Sequence, residues 1–246
     1  MVVTGGKAIY GTSIGILMLE ARFPRIPGDV GNALTWDFPV LYRIVRDASP
    51  HQVVRRRAEG LLESFVLAAR ELVADGADGI TTNCGFLSLY QRELAASVDV
   101  PVATSSLMQV RMVNATLPAG RIAGILTISG DSLTSEHLAS AGVPDGTPIG
   151  TTEGGREFTR VILDNEPQMD VEAARRDNVE AARELVSAHA GIGAIVLECT
   201  NMIPFAADIR AATGLPVFSM VSFLSWFQSG LMPRRYRTAV RGEGAG

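Results

Sequence analysis

DGITTNCGF, Asp78–Phe86, and GAIVLECTN, Gly193–Asn201, are each a short apolar run that ends in a polar exit carrying a cysteine. Cys84 and Cys199 are the chain's only cysteines. Each is followed by a proline that opens another apolar run, Pro101 in VPVATSS and Pro216 in LPVFSMV, at the same interval of 17 positions. The hexapeptide AARELV also occurs twice, at Ala68–Val73 and Ala181–Val186, on the amphipathic stretch that leads into each cysteine segment. Equal spacing of unlike features is the signature of an internal duplication.

Outward from these segments, apolar runs bounded by Gly, Pro or polar clusters alternate with longer amphipathic stretches, the pattern of βα units and a parallel sheet. Ile14–Leu19 (IGILML) reads as the leading strand of the first half, and Arg121–Ser129 (RIAGILTIS) echoes it in the second. The helical period predicts helices over Pro50–Ala74, Leu87–Ala96, Ser132–Ala141, Val171–Ala188, Pro204–Thr213 and Val221–Leu231. The last of these is expected to pack back on the first half, and Gly242–Gly246 reads as a frayed tail. The expectation is an α/β fold of two similar lobes, each a parallel sheet flanked by helices, related by a pseudo-twofold. Residues 1–104 plus 217–246 form the first lobe and 105–216 the second. Ligands of open parallel sheets bind beyond the carboxyl ends of the strands. Both cysteines fall at such ends, so the active site is expected in the inter-lobe cleft.

The 246 residues carry 47% hydrophobic and 20% charged side chains, ample for a core, and a net charge of −4 with no basic stripe, which argues against a nucleic-acid partner. No apolar run reaches the roughly 18 residues of a membrane span, and the start of the chain shows no signal-peptide pattern. A cytoplasmic location with reduced thiols is therefore expected. His51, His137 and His189 have no metal-ligand spacing, so neither a metal nor a cofactor is expected. Thr152–Arg156 is not a nucleotide fingerprint, Arg55–Arg57 reads as a solvated or interface face, and Trp36 and Trp226 read as packing or interface residues. The expected partner is a small-molecule substrate, with a homo-oligomer possible.

Two thiols on opposite sides of one carbon suit removal of a weakly acidic proton on one face and its return on the other. Backbone N–H groups at the start of the following helix are expected to draw each thiol toward neutrality from its ordinary value near ~8.5. The two sulfurs should then stand on the order of 7–8 Å apart, two donor–carbon contacts.

At this point the chain resembles a family. TTNCGF, LECTN, the duplicated lobes and IGILML look like the aspartate/glutamate racemase superfamily, over about residues 14–230. That superfamily includes glutamate, aspartate and hydantoin racemases, maleate isomerase and arylmalonate decarboxylase. The resemblance implies a cofactor-independent racemase or epimerase in which Cys84 and Cys199 act as thiolate base and thiol acid on an amino-acid, hydantoin or related carboxylate. It implies substrate contacts from Asn83, Thr82, Thr127 and Thr200. Gly85 permits close backbone approach, and Asn201 offers an amide donor and acceptor. Glu198 and Asn201 stand where amino-acid racemases commonly carry Gly and His, so free glutamate is not expected to be the best substrate.

The exit of the leading strand brings Glu20, Arg22 and Arg25 toward the site, the arginines as carboxylate partners and Glu20 as partner of an amine or thiol. Ser105 ends the third strand and either binds the ligand or closes a turn. Glu198 is expected to face away and anchor the lobe, because successive strand residues alternate faces. The alternatives are a maleate-isomerase-like enzyme with a nucleophilic cysteine and a two-lobed binding protein without chemistry.

Overall fold

The computed structural model describes residues 2–236; the expected tail at Gly242–Gly246 lies outside them. Eight strands form two four-stranded parallel sheets. The first contains β1 (Ile14–Leu19), β2 (Val40–Val45), β3 (Gly79–Thr82) and β4 (Val102–Ala103), in the order β2-β1-β3-β4. The second contains β5 (Ile122–Thr127), β6 (Ile149–Thr151), β7 (Ile192–Leu197) and β8 (Val217–Phe218), in the order β6-β5-β7-β8. The orders are identical once the second set is matched to the first, which is the duplication at the level of topology. β8 pairs with β7, so Val217 and Phe218 belong to the second sheet.

The helices are α1 (Pro50–Val54), α2 (Leu62–Asp75), α3 (Gln91–Ser97), α4 (Val110–Thr116), α5 (Ser135–Ser140), α6 (Phe158–Leu163), α7 (Val171–Ala188), α8 (Ala206–Thr213) and α9 (Met220–Leu231). The two AARELV copies lie on α2 and α7 and do equivalent work. The leucine of the first, Leu72, packs on Gly15 of β1, where a Cβ would come within 3.0 Å of its own Cβ. The leucine of the second, Leu185, packs on Gly124 of β5, at 3.2 Å. Both glycines open a Gly-Ile-Leu triplet, so sheet and helix approach closely at the same point of each lobe. Strand β1 is buried along its whole length. Its other face is covered by α9, whose Met220, Phe223 and Leu224 pack with Ile14, Ile16, Met18 and Val30.

The structure adds two short helices, α4 and α6, that were not read from the sequence, and it breaks one that was. The predicted Pro50–Ala74 helix is broken between α1 and α2, where Arg57, Ala58 and Gly60 adopt positive φ of 54°, 54° and 77°. Left-handed residues cannot continue a right-handed helix. The apolar period continues across the break because both pieces face the same core, through Val53 and Val54 on one side and Leu61 and Phe65 on the other.

The lobes are stitched together at the strand exits. The Thr200 hydroxyl donates to the Asn83 carbonyl at 2.6 Å. Arg55 donates to Ser129 at 2.9 Å and pairs with Glu153 at 3.1 Å.

Candidate active site

Each cysteine is the extended residue that caps a 3-10 turn, Cys84 before Gly85–Tyr90 and Cys199 before Thr200–Phe205. The strand delivers the side chain to the sheet's carboxyl edge, and the turn's first N–H groups face back toward the sulfur. Both cysteines line one small, mainly apolar cavity, with Leu19, Phe23, Val54, Phe86, Ile162 and Leu163 as its walls. Arg25, Asn83, Glu198 and Asn201 supply its polar groups.

Arg25 reaches the cavity from the loop after β1. Its Nη1 donates to Asp29 Oδ1 at 2.8 Å, and its guanidinium lies over the Phe23 ring at 4.6 Å. Asp29, itself buried, also accepts from the Asn201 amide through Oδ2, and Asn201 Oδ1 accepts from the Cys199 thiol at 3.5 Å. A continuous polar chain thus runs from Arg25 to Cys199. Asn83 accepts the Leu19 N–H at 2.8 Å through Oδ1, which fixes its amide. Arg25 Nη2 and Asn83 Nδ2 are both buried donors with no hydrogen-bond partner among the described residues.

Glu198 is 0% exposed and lines the cavity. Its Oε2 accepts the Thr127 hydroxyl at 2.8 Å, while Oε1 is buried without a partner among the described residues. A Cβ on Gly85 would lie 2.3 Å from that free oxygen, so only glycine lets the first cysteine loop close on Glu198.

Burial dominates the electrostatics. Burial pushes the Cys84 thiol up to about 12, helped by the Glu198 carboxylate; the N–H groups of Phe86 and Leu87 and the charge of Arg25 only partly oppose it. Cys199 is raised well above the usual thiol range by burial, then by Glu198, against the Asn201 N–H. The expected drift of both thiols toward neutrality is therefore reversed. The turn N–H groups are present, but loss of water outweighs them. Glu198 is itself raised to about 7 by burial, with the Thr127 hydroxyl and the Ile128 N–H pulling down.

Of the residues singled out from sequence, Cys84, Cys199, Asn83, Asn201 and Arg25 meet at the cavity. Thr82, Thr127 and Thr200 lie one layer behind it. Thr82 donates to the Thr104 carbonyl at 2.7 Å, Thr127 to Glu198, and Thr200 to Asn83. Ser105 caps the Ser106–Gln109 turn, accepting from the Leu107 N–H at 3.2 Å, and is not on the cavity wall. Glu20 points outward, paired with Arg46 at 2.6 Å, and this ion pair holds its carboxyl below the ordinary value. Arg22 and Glu20 border one outer surface groove, with Arg46. Glu198 does anchor its lobe through Thr127, but it also faces the cavity, because β7 ends at Leu197 and strict alternation ends with it. Asp29 and the apolar walls escaped the sequence reading. Asp29 sits in an irregular loop where no period marks a side chain as buried.

Among the described residues no cluster of three or more His, Cys, Asp or Glu side chains could hold a metal ion, and no helix is long and apolar enough to cross a membrane.

No family model matches the chain. In sequence it is similar to a dimethylsulfoniopropionate lyase from Durusdinium sp. clade D, 28% identical over 91% of this chain and 76% of that protein. It is also similar to dimethylsulfoniopropionate lyase 6 from Emiliania huxleyi (strain CCMP1516), 31% identical over 89% of this chain and 60% of that protein. In structure it is similar to a glycine-to-cysteine variant of arylmalonate decarboxylase, with a TM-score of 0.61 and 19% identity over 92% of this chain and 96% of that one. A glutamate racemase from Bacillus anthracis gives a TM-score of 0.58 with 14% identity, over 89% and 82% of the two chains. The chain has the aspartate/glutamate racemase-like fold, as its cysteine motifs led one to expect.

Proposed function

We propose that the chain is a cofactor-independent enzyme that removes a proton from the carbon next to a carboxylate, with Cys84 and Cys199 as its thiol pair. We further propose that the reaction ends in loss of a β leaving group, as in a dimethylsulfoniopropionate lyase. The observation that carries the reading is the convergence of both thiols on one small cavity beside two buried donors without partners among the described residues. Buried donors without partners are costly, and a substrate carboxylate would satisfy Arg25 Nη2 and Asn83 Nδ2 together. Neutralising that carboxylate makes the adjacent C–H more acidic.

The lyase outcome draws its support from the sequence relatives, whose similarity spans about nine-tenths of the chain. Dimethylsulfoniopropionate carries a carboxylate and a sulfonium on adjacent carbons. A cysteine thiolate takes the α proton, the C–H electron pair becomes the Cα=Cβ bond, and the Cβ–S pair leaves with sulfur. The products are dimethyl sulfide, acrylate and one proton left on the thiol. The walls formed by Val54, Phe86, Ile162 and Leu163 suit the two methyl groups, and an aromatic face such as Phe86 attracts a desolvated cation.

Racemisation is the second reading, favoured by the presence of a thiol in each lobe. The two readings separate in the serine variants. Elimination needs one base, so one of Cys84→Ser and Cys199→Ser abolishes dimethyl sulfide release while the other retains a measurable rate. Racemisation of amino acids or hydantoins needs both thiols, and both variants would be inactive. Release of no dimethyl sulfide by the wild type, with α-deuterium exchange in an amino acid or hydantoin, would replace the first reading with the second.

A further inference from the structure

Elimination and racemisation differ in their proton balance. A racemase returns to substrate the proton it removes. A lyase keeps one proton in the site after every turnover, and its base must lose that proton before the next. A base whose own affinity for protons is high, in an enclosed cavity, needs a nearby acceptor.

Glu198 is placed for this task. It lies between the two cysteine loops, immediately before Cys199 in sequence and against Gly85, the residue after Cys84. One oxygen is tied to Thr127 and the other is free, fully buried and unpartnered among the described residues. An anchor for the lobe needs the first oxygen only.

We propose that Glu198 is the proton acceptor that generates and regenerates the cysteine thiolate. The cysteine S–H bond breaks, its electron pair stays on sulfur, and an O–H bond forms at Glu198 Oε1. After the products leave, water entering the cavity takes that proton and restores the carboxylate. Glu198 acts through the cysteine and is therefore a positioning residue. The inference rests on the thiol pair and the elimination reading given above.

The charged and titratable groups that share the cavity with it are Cys84, Cys199 and Arg25, and Asp29 lies behind Arg25 and Asn201, off the cavity wall. Arg25 and Asp29 are paired with each other, which leaves Glu198 and the thiols to share one negative charge. Each thiol is held up partly by the Glu198 charge, so moving a proton from sulfur to that carboxylate removes part of what opposes the thiolate. A bound sulfonium adds a positive charge and drives the transfer further.

The test uses the intact chain, dimethylsulfoniopropionate as substrate and iodoacetamide as thiol probe, each followed from about pH 5 to 10. Wild-type kcat should rise with pH through an inflection near 7, where Glu198 ionises. Glu198→Gln should alkylate faster than wild type at mildly alkaline pH, because the negative neighbour is gone. Its kcat at neutral pH should nevertheless fall about a hundredfold and recover only as hydroxide replaces the lost acceptor. Glu198→Asp should restore part of the neutral limb. A merely structural glutamate would change yield or KM and leave the shape of the profile alone. A Glu198→Gln profile matching wild type, with both serine variants impaired, overturns this inference and spares the thiol reading. Fully active Cys84→Ser and Cys199→Ser enzymes overturn both. Should Glu198→Gln not fold, a wild-type kcat profile with no inflection near neutrality overturns it equally.

Discussion

Glu198 is the residue on which stability and the proposed chemistry meet. Its carboxyl is raised by burial from 4.5 to about 7, so the folded state prefers it protonated. The sign follows directly. Below the unfolded value both states bind the proton and no stability is lost. Between about 4.5 and 7 the folded chain holds a proton that the unfolded chain has released, so stability falls as pH rises. At about 1.4 kcal/mol per unit the loss is about 3 kcal/mol by pH 8. Denaturant titrations at pH 5 and 8 should show wild type losing about 2–3 kcal/mol more than Glu198→Gln over that window, the rest of the loss lying below pH 5. Equal losses would mean that the carboxyl is not neutralised by burial. The neighbouring sequence, LECTN, made Cys199 legible as a site residue, and the pairing of Glu198 with Thr127 fits the anchoring role expected of it. Its turn into the cavity was not legible, because that depends on where the strand ends.

The elements carry the duplication more faithfully than the residues do. AARELV and Gly-Ile-Leu recur because each lobe must bring a helix close to its leading strand, and in both a leucine of the helix packs on the glycine of the strand. At Gly15 the neighbours of an added Cβ include the Cβ atoms of Leu72 and Ala77 at 3.0 Å, which cannot swing away as a flexible side-chain end can. Gly15→Ala should therefore destabilise by about 1–3 kcal/mol. Gly230, on α9 with open space around it, should gain about 0.5–1 kcal/mol as alanine. Thermal melts of the two variants moving in the same direction would contradict this account of the packing. The strands that went unread share a cause. β2 is a partly exposed edge strand, VLYRIV, with only Val45 fully buried, and β6 is three residues long with none buried. Neither presents the apolar run that marks a central strand. The break between α1 and α2 was hidden for the opposite reason, since the apolar period survives the interruption.

At the scale of the whole molecule, two lobes of equal topology present their cysteine loops to one another and are locked there by the Thr200–Asn83 bond and by Arg55 on Ser129 and Glu153. The cavity is a consequence of that symmetry, and the asymmetry inside it comes from the loops. The first lobe contributes Arg25 and Asp29 from the long connection between β1 and β2, and the second contributes Glu198 and Asn201. The sequence repeat located the thiols and the cleft. It could not reveal a loop whose burial is created by the other lobe. The central claim is that these thiols take a proton beside a carboxylate and expel a β leaving group. Proton NMR of dimethylsulfoniopropionate incubated with the wild type and with the Cys84→Ser/Cys199→Ser double variant tests it most directly. The account predicts that acrylate and dimethyl sulfide grow in equal amounts with the wild type and do not form with the double variant. Substrate left intact by the wild type, or cleaved equally by the double variant, would contradict it.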